Sequence, residues 1–395
     1  MKVQKMQLRI DEEELTDLRR RLETFREPDP GPGADSWDYG LPIGFAHKMH
    51  HYWLHEFDWR AAEKKINSFR HYRVNLGDNY NKIGIHFVFA APEKGANKLP
   101  ILLLHGWPGS FWEFHKVIPQ LVEAGFAVVV PSLPGYGFSD APQEQGWSIL
   151  RVADALDSLM RGLGYPHYYA QGGDWGAVIC RVLGSFPDKY GCKALHFNFF
   201  PCPKPRQVDL SSLSEDDKAK IDRARGFSHA ETGYQAIQRT RPQTLAYGLT
   251  DSPMGLACWI SEKFSAWSDT QGSHDPTVAI SMDDMLTNIC IYWFTRSIAS
   301  SVRLYYETMG LGKFAPVRIA NVIVPCAIAE FPKEISTMPM AWVKEWYNVK
   351  QYSQFQQGGH FAALEMPNEL SNDIISFFNQ REAESSNEYE VHSKM

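Results

Sequence analysis

Apolar and polar positions divide this chain into three kinds of segment. Several short runs are apolar almost throughout and often β-branched: Ile85 to Ala90, Ile101 to Leu104, Phe126 to Val130, Tyr168 to Gln171, Ala194 to Phe199 and Val322 to Ala329. Runs of that length and character predict strands of a mostly parallel sheet covered on both faces. Helical stretches such as Leu150 to Leu163 and Gly176 to Gly184 lie between several of them, the alternation of an α/β fold. From about Pro201 to Gly310 the strand signals stop and the sequence reads as helix. A helical block inside an alternating chain predicts an inserted cap, after which the sheet resumes. Ligands of open parallel sheets bind at the carboxyl ends of the strands, and the cap would roof that place.

Ahead of the sheet, Leu15, Leu18 and Leu22 are spaced for one buried helical face. A breaker cluster, Pro28 to Gly33, and an aromatic stretch, Tyr52 to Trp59, follow. Neither piece could fold alone. The expected organisation is therefore an extension over residues 1–75 wrapped around the core, and core over 76–200. The cap takes 201–310, the core resumes over 311–380, and a polar tail at 381–395 is expected to be disordered.

Composition removes several function classes. The 395 residues carry a net charge of −6, and no basic face stands out, which argues against nucleic acid as a partner. None of the six cysteines forms a C-x-x-C pair, so neither a zinc site nor a disulfide framework is expected. The N-terminus has no apolar stretch long enough for a signal peptide or membrane anchor. A soluble, cytoplasmic protein is the expectation.

The sharpest local motif is Gln171-Gly172-Gly173-Asp174-Trp175-Gly176, between a strand and a helix. It has the form of the nucleophile elbow of α/β-hydrolases, with Asp where Ser usually stands. Glycines flank the centre because the turn is tight. A serine attacking a saturated carbon would form an ether, which water cannot readily cleave. Aspartate forms an ester, which can be hydrolysed at its carbonyl, so Asp174 points to alkyl electrophiles such as epoxides or alkyl halides. Taken alone, the same motif would also suit a turn with a helix-capping Asp.

The remaining parts follow in order. His105-Gly106-Trp107-Pro108 succeeds the strand ending at Leu104, where this fold places an oxyanion-hole loop. The backbone amides of Trp107 and Trp175 are the candidate donors. His360, after Gly358-Gly359 near the end of the sheet, is the candidate base, while His105 is assigned to shaping its loop. The acid behind His360 should follow the Val322 to Ala329 strand, where Glu330 and Glu334 both fit. Epoxide opening also needs a proton donor to the leaving oxygen. The cap offers Tyr234, Tyr247, Tyr292, Tyr305 and Tyr306, and composition does not choose among them.

Together these segments resemble the epoxide hydrolase family, in the branch with an extra N-terminal region that includes microsomal, juvenile-hormone and soluble fungal enzymes. The matching segments are HEFDWR (His55 to Arg60), LLHGWPGS (Leu103 to Ser110), PSLPGYGFS (Pro131 to Ser139), QGGDWG, DSPMGLACWISEKF (Asp251 to Phe264) and GGHFAALE (Gly358 to Glu365). The resemblance implies an α/β-hydrolase fold with a helical cap and an N-terminal extension, Asp174 as nucleophile and His360 as base. Its Phe-Pro-x-acid pattern selects Glu334 over Glu330. Its two cap tyrosines map to Tyr234 and to Tyr305, with the adjacent Tyr306 as fallback. It implies a small-molecule epoxide as substrate, no cofactor or metal, and, by likeness to the fungal members, a homodimer. A haloalkane dehalogenase with the same elbow is the nearest rival, and an inactive ligand-binding member of the fold is the rival of another class.

Overall fold

The computed structural model describes residues 1–205, 213–310 and 320–393. Its strands are β1 (Val3–Met6), β2 (His71–Asn75), β3 (Gly84–Ala90), β4 (Ile101–Leu104), β5 (Val128–Pro131), β6 (Tyr168–Gly172), β7 (Cys192–Phe197), β8 (Val322–Glu330) and β9 (Tyr347–Gln354). They form one sheet in the order β1-β2-β3-β5-β4-β6-β7-β8-β9. The first three pairings, β1 to β2, β2 to β3 and β3 to β5, are antiparallel, and all the others are parallel. Helices Ile149–Gly162, Asp174–Ser185 and Pro367–Ser393 are among those flanking the sheet. This is the α/β-hydrolase architecture. The central strands are apolar on both faces because both faces are covered: every residue of β4 and β5 is buried.

Two strands carry little signal that the hydrophobic pattern could reveal. β2 reads His-Tyr-Arg-Val-Asn and buries only His71 and Val74. β1 reads Val-Gln-Lys-Met and is exposed along most of its length at the sheet edge. Its place depends on backbone pairing with β2, from Val3 opposite Val74 to Met6 opposite His71, rather than on burial.

The extension therefore contributes two strands as well as helices Glu12–Glu23, Ile43–His55 and Trp59–Ile66. Leu18 and Leu22 are buried as the spacing predicts, whereas Leu15 is only partly so. The Asp58 carboxylate caps the third helix by accepting from the Arg60 and Ala61 amides, satisfying two orphan donors. The aromatic stretch finds its cover in the cap. Trp59 packs on Phe294 with ring centroids 4.8 Å apart, and the Tyr52 hydroxyl donates to Asp283 at 2.8 Å. One end of the extension lengthens the sheet while the rest holds the cap.

Helices Glu215–Ala230, Gly233–Gln238, Pro242–Asp251, Pro253–Trp267, Met282–Thr295, Ile298–Ser301 and Arg303–Met309 lie between β7 and β8. The expected return to the core at residue 311 lies outside the described residues. Contacts tying this block to the core include Lys220 to Glu330 at 2.7 Å, the Asn288 amide to the Pro108 carbonyl at 2.8 Å, and the Tyr292 hydroxyl to the Gly109 carbonyl at 2.7 Å. At the C-terminus the last helix runs from Pro367 to Ser393, past Arg381 and through most of the tail expected to be disordered. Its polar composition hid a continuation that begins in the buried stretch Leu370, Ile374, Phe377 and Phe378. Among the described residues no helix is long and apolar enough to cross a membrane.

Candidate active site

The elbow forms where β6 ends at Gly172 and a helix begins at Asp174. Asp174 adopts φ +46°, a left-handed conformation that costs a non-glycine residue about 1–3 kcal/mol. The neighbours explain why it persists. A Cβ on Gly176 would stand 1.9 Å from the Leu104 carbonyl oxygen, and one on Gly172 would stand 2.4 Å from the Gly176 carbonyl carbon. Helix and strands meet too closely for side chains, so the Asp174 side chain is turned toward the cap.

There it meets the loop after β4. The Trp107 amide donates to Asp174 Oδ1 at 2.8 Å, and a Cβ on Gly106 would lie 2.2 Å from the same oxygen. Trp175 occupies the first turn of the helix behind the carboxylate. Of the two predicted amide donors, only Trp107 is bonded to Asp174 among the described residues. The positive end of the helix supplies further stabilisation of negative charge at this point. His105 is turned away: its Nδ1 lies 3.0 Å from the Gly106 carbonyl, and its Nε2 accepts from the Leu133 amide at 3.1 Å. Burial lowers its pKa to about 4. It is a neutral brace for the loop.

His360 sits on the other side of the carboxylate, with Nε2 3.4 Å from Asp174 Oδ2. Its Nδ1 lies 2.7 Å from Glu334 Oε1, and that oxygen also accepts from the Ile335 amide at 2.7 Å. Burial alone would lower the His360 pKa, but the charges and hydrogen bonds of Glu334 and Asp174 outweigh it and hold it well above the ordinary value. Glu334 is the carboxylate at the imidazole. Glu330, the other candidate, instead takes Lys220 at 2.7 Å and the Tyr352 hydroxyl at 2.8 Å.

Two cap tyrosines converge from the roof. Tyr234 and Tyr305 are buried, with ring centroids 5.9 Å apart. The Tyr234 ring stacks on Trp107 at 5.2 Å, and the Tyr305 ring meets Trp175 edge-on at 4.8 Å. Burial, reinforced by the Asp174 charge, pushes both phenols above the ordinary value, so they stay protonated. Tyr306 is only partly buried. Tyr247 is exposed, and the hydroxyls of Tyr292 and Tyr136 bond to backbone carbonyls of Gly109 and Ser301.

The sequence reading missed three acids around this centre. Glu365 accepts from the Phe361 amide at 2.9 Å and the Asp269 amide at 2.7 Å. Asp269 in turn accepts from the Gly358 amide at 3.0 Å, and the His360 amide donates to the Trp267 carbonyl at 2.9 Å. The loop bearing His360 is thus braced on the end of a cap helix. The third acid, Glu113, lines the same small cavity as Asp174 and His360. A lone acid between Trp112 and Phe114, in the otherwise apolar Phe-Trp-Glu-Phe run, was the signal that could have found it.

This arrangement defines an α/β-hydrolase with an aspartate at the elbow and a histidine–glutamate pair beside it. Two family models match the chain: epoxide hydrolase N terminus over residues 3–114, and alpha/beta hydrolase fold over residues 100–197. A protein of Stigmatella aurantiaca is 40% identical over 384 residues, covering 95% of this chain and 84% of its own length. Epoxide hydrolase 1 of Oryctolagus cuniculus is 34% identical over 95% of this chain and 88% of its own. The structure of Aspergillus niger epoxide hydrolase superposes with a TM-score of 0.86 at 31% identity, covering 96% of this chain and 97% of that one. The chain belongs to the epoxide hydrolase family and is an enzyme of that class.

Proposed function

We propose that the chain converts epoxides to vicinal diols through an ester on Asp174. In the first step an Asp174 oxygen attacks an epoxide carbon, the carbon–oxygen bond of the ring breaks, and Tyr234 and Tyr305 hold and protonate the departing oxygen. In the second step His360 takes a proton from water, and the water oxygen bonds to the Asp174 carbonyl carbon. The Trp107 amide, with Trp175 behind it, takes the developing charge. Collapse expels the diol alkoxide, which takes the proton from His360, and the proton left on the Asp174 acid passes to the phenolate, restoring carboxylate and phenol. Glu334 fixes the imidazole so that Nε2 faces the ester.

The observation that carries this reading is the placing of His360 and the two phenols around one carboxylate. The electrostatics support the sequence of events. Esterification removes the Asp174 charge that helps hold a proton on His360, so the imidazole can shed that proton and is free to accept one from water. The indole N–H groups of Trp107 and Trp175, unpartnered among the described residues, would suit halide in a dehalogenase, but two phenolic hydroxyls in the roof suit an epoxide oxygen. The expected result with styrene oxide is its diol, and with a 1-chloroalkane no chloride release. Chloride without diol would overturn the proposal.

A further inference from the structure

The second step needs a water that is aimed as well as deprotonated. A water bonded only to His360 can rotate about that bond, and its attacking lone pair points at the ester carbon only part of the time. A second acceptor for its other O–H removes that freedom.

Glu113 is placed to be that acceptor. It lies in the short helical turn Phe111–Lys116, just after the loop that carries Trp107. Its Oε1 is 1.2 Å from where a Cβ on Gly109 would stand, so the carboxyl group fills the space that the missing side chain leaves beside the loop. The residue is half-buried, and it shares with Gly106, Asp174, Asn198 and His360 a cavity of about 20 Å³, the size that holds about one water. Among the described residues no hydrogen bond or ion pair reaches its carboxyl group, although both active-site charges act on it. A carboxyl turned into the interior with no protein partner is costly, and a polar cavity shared with the nucleophile and the base is where it can be satisfied.

We propose that Glu113 holds the hydrolytic water, accepting one of its O–H groups while the other is directed at His360 Nε2. This deepens the ester mechanism and rests on it. Burial raises the Glu113 pKa to about 8, with the His360 charge pulling it down and the Asp174 charge pushing it up. In the resting site at neutral pH the group is therefore largely a neutral acid. Its carbonyl oxygen accepts from the water, and it adds little repulsion against Asp174. The proton balance of the step is unchanged: water gives its proton to His360, the remaining hydroxyl bonds to the Asp174 carbonyl carbon, and the leaving alkoxide takes the proton back.

The test separates the two half-reactions in the full chain by rapid quench with styrene oxide, following ester on the Asp174 peptide and diol in solution. For Glu113→Leu the expected outcome is ester formation within about twofold of the unaltered enzyme and hydrolysis slower by about 10- to 100-fold, the worth of one hydrogen bond to a charged or strongly polar group. Ester then accumulates in the steady state. Glu113→Gln, which keeps an acceptor oxygen, should recover much of the hydrolysis rate. Unchanged hydrolysis in the leucine variant would overturn the proposal. So would an equal loss in both steps in both variants, since that is what a merely structural role in the loop produces. Failure of the ester mechanism itself looks different: the unaltered enzyme would then form diol with no ester at any time.

Discussion

A His360→Gln variant is expected to stop after its first chemical step, with the substrate bound covalently to Asp174. In the proposed mechanism, opening the epoxide draws on the carboxylate and the two phenols and asks nothing of the imidazole as a base. Hydrolysis of the ester asks for one. Glutamine keeps an N–H that can face Glu334, which lies fully buried beside His360, so the acid is not left without a partner. That matters because breaking a buried ion pair from one side costs about 3–5 kcal/mol, enough to confuse lost chemistry with lost folding. The loss of a positioned general base predicts ester hydrolysis slower by about 10²- to 10⁴-fold. Mass analysis of the peptide containing Asp174 should show the added mass of the substrate. Finding no adduct, while the unaltered enzyme turns over, would count against a covalent route.

The second large effect is expected in the first step. Replacing both Tyr234 and Tyr305 by phenylalanine should slow ester formation by about 10²- to 10⁴-fold, the range typical of general acid catalysis. Each single replacement leaves one hydroxyl above the carboxylate and should cost about 10- to 100-fold, the value of one strong hydrogen bond. Shape is preserved, because the rings that pack on Trp107 and Trp175 remain. The change is therefore confined to the two hydroxyl groups. Tryptophan fluorescence in a stopped-flow experiment suits the measurement, since Trp107 lies against both rings. No loss in the double variant would remove the phenols from the mechanism.

What the sequence made legible was whatever a short contiguous motif could carry. The elbow glycines, the loop after β4 and the histidine after Gly358-Gly359 each have a local physical reason, and they lie together in the fold. Glu334 and the two cap tyrosines needed the family resemblance, because spacing left Glu330 open and composition chose none of the five cap tyrosines, with Tyr306 kept as a fallback beside Tyr305. The fold separates them through partners distant in the chain: Lys220 claims Glu330, and burial against Trp107 and Trp175 distinguishes Tyr305. β1 was invisible because an exposed edge strand has no buried face to declare. Glu113 was passed over for a different reason, although its place in an apolar run marked it. Its neighbours in the chain explain only that it is enclosed, and its meaning lies in a cavity built from separate loops and strand ends.

The central claim is that Asp174 bonds to carbon and that water then attacks Asp174 itself. A single turnover in oxygen-18 water, with enzyme in excess over epoxide, tests it most directly. The account predicts one labelled oxygen in the carboxylate of the Asp174 peptide and an unlabelled diol from that first turnover. Label in the diol alone, with Asp174 unlabelled, would mean that water attacks the epoxide directly, and would contradict it.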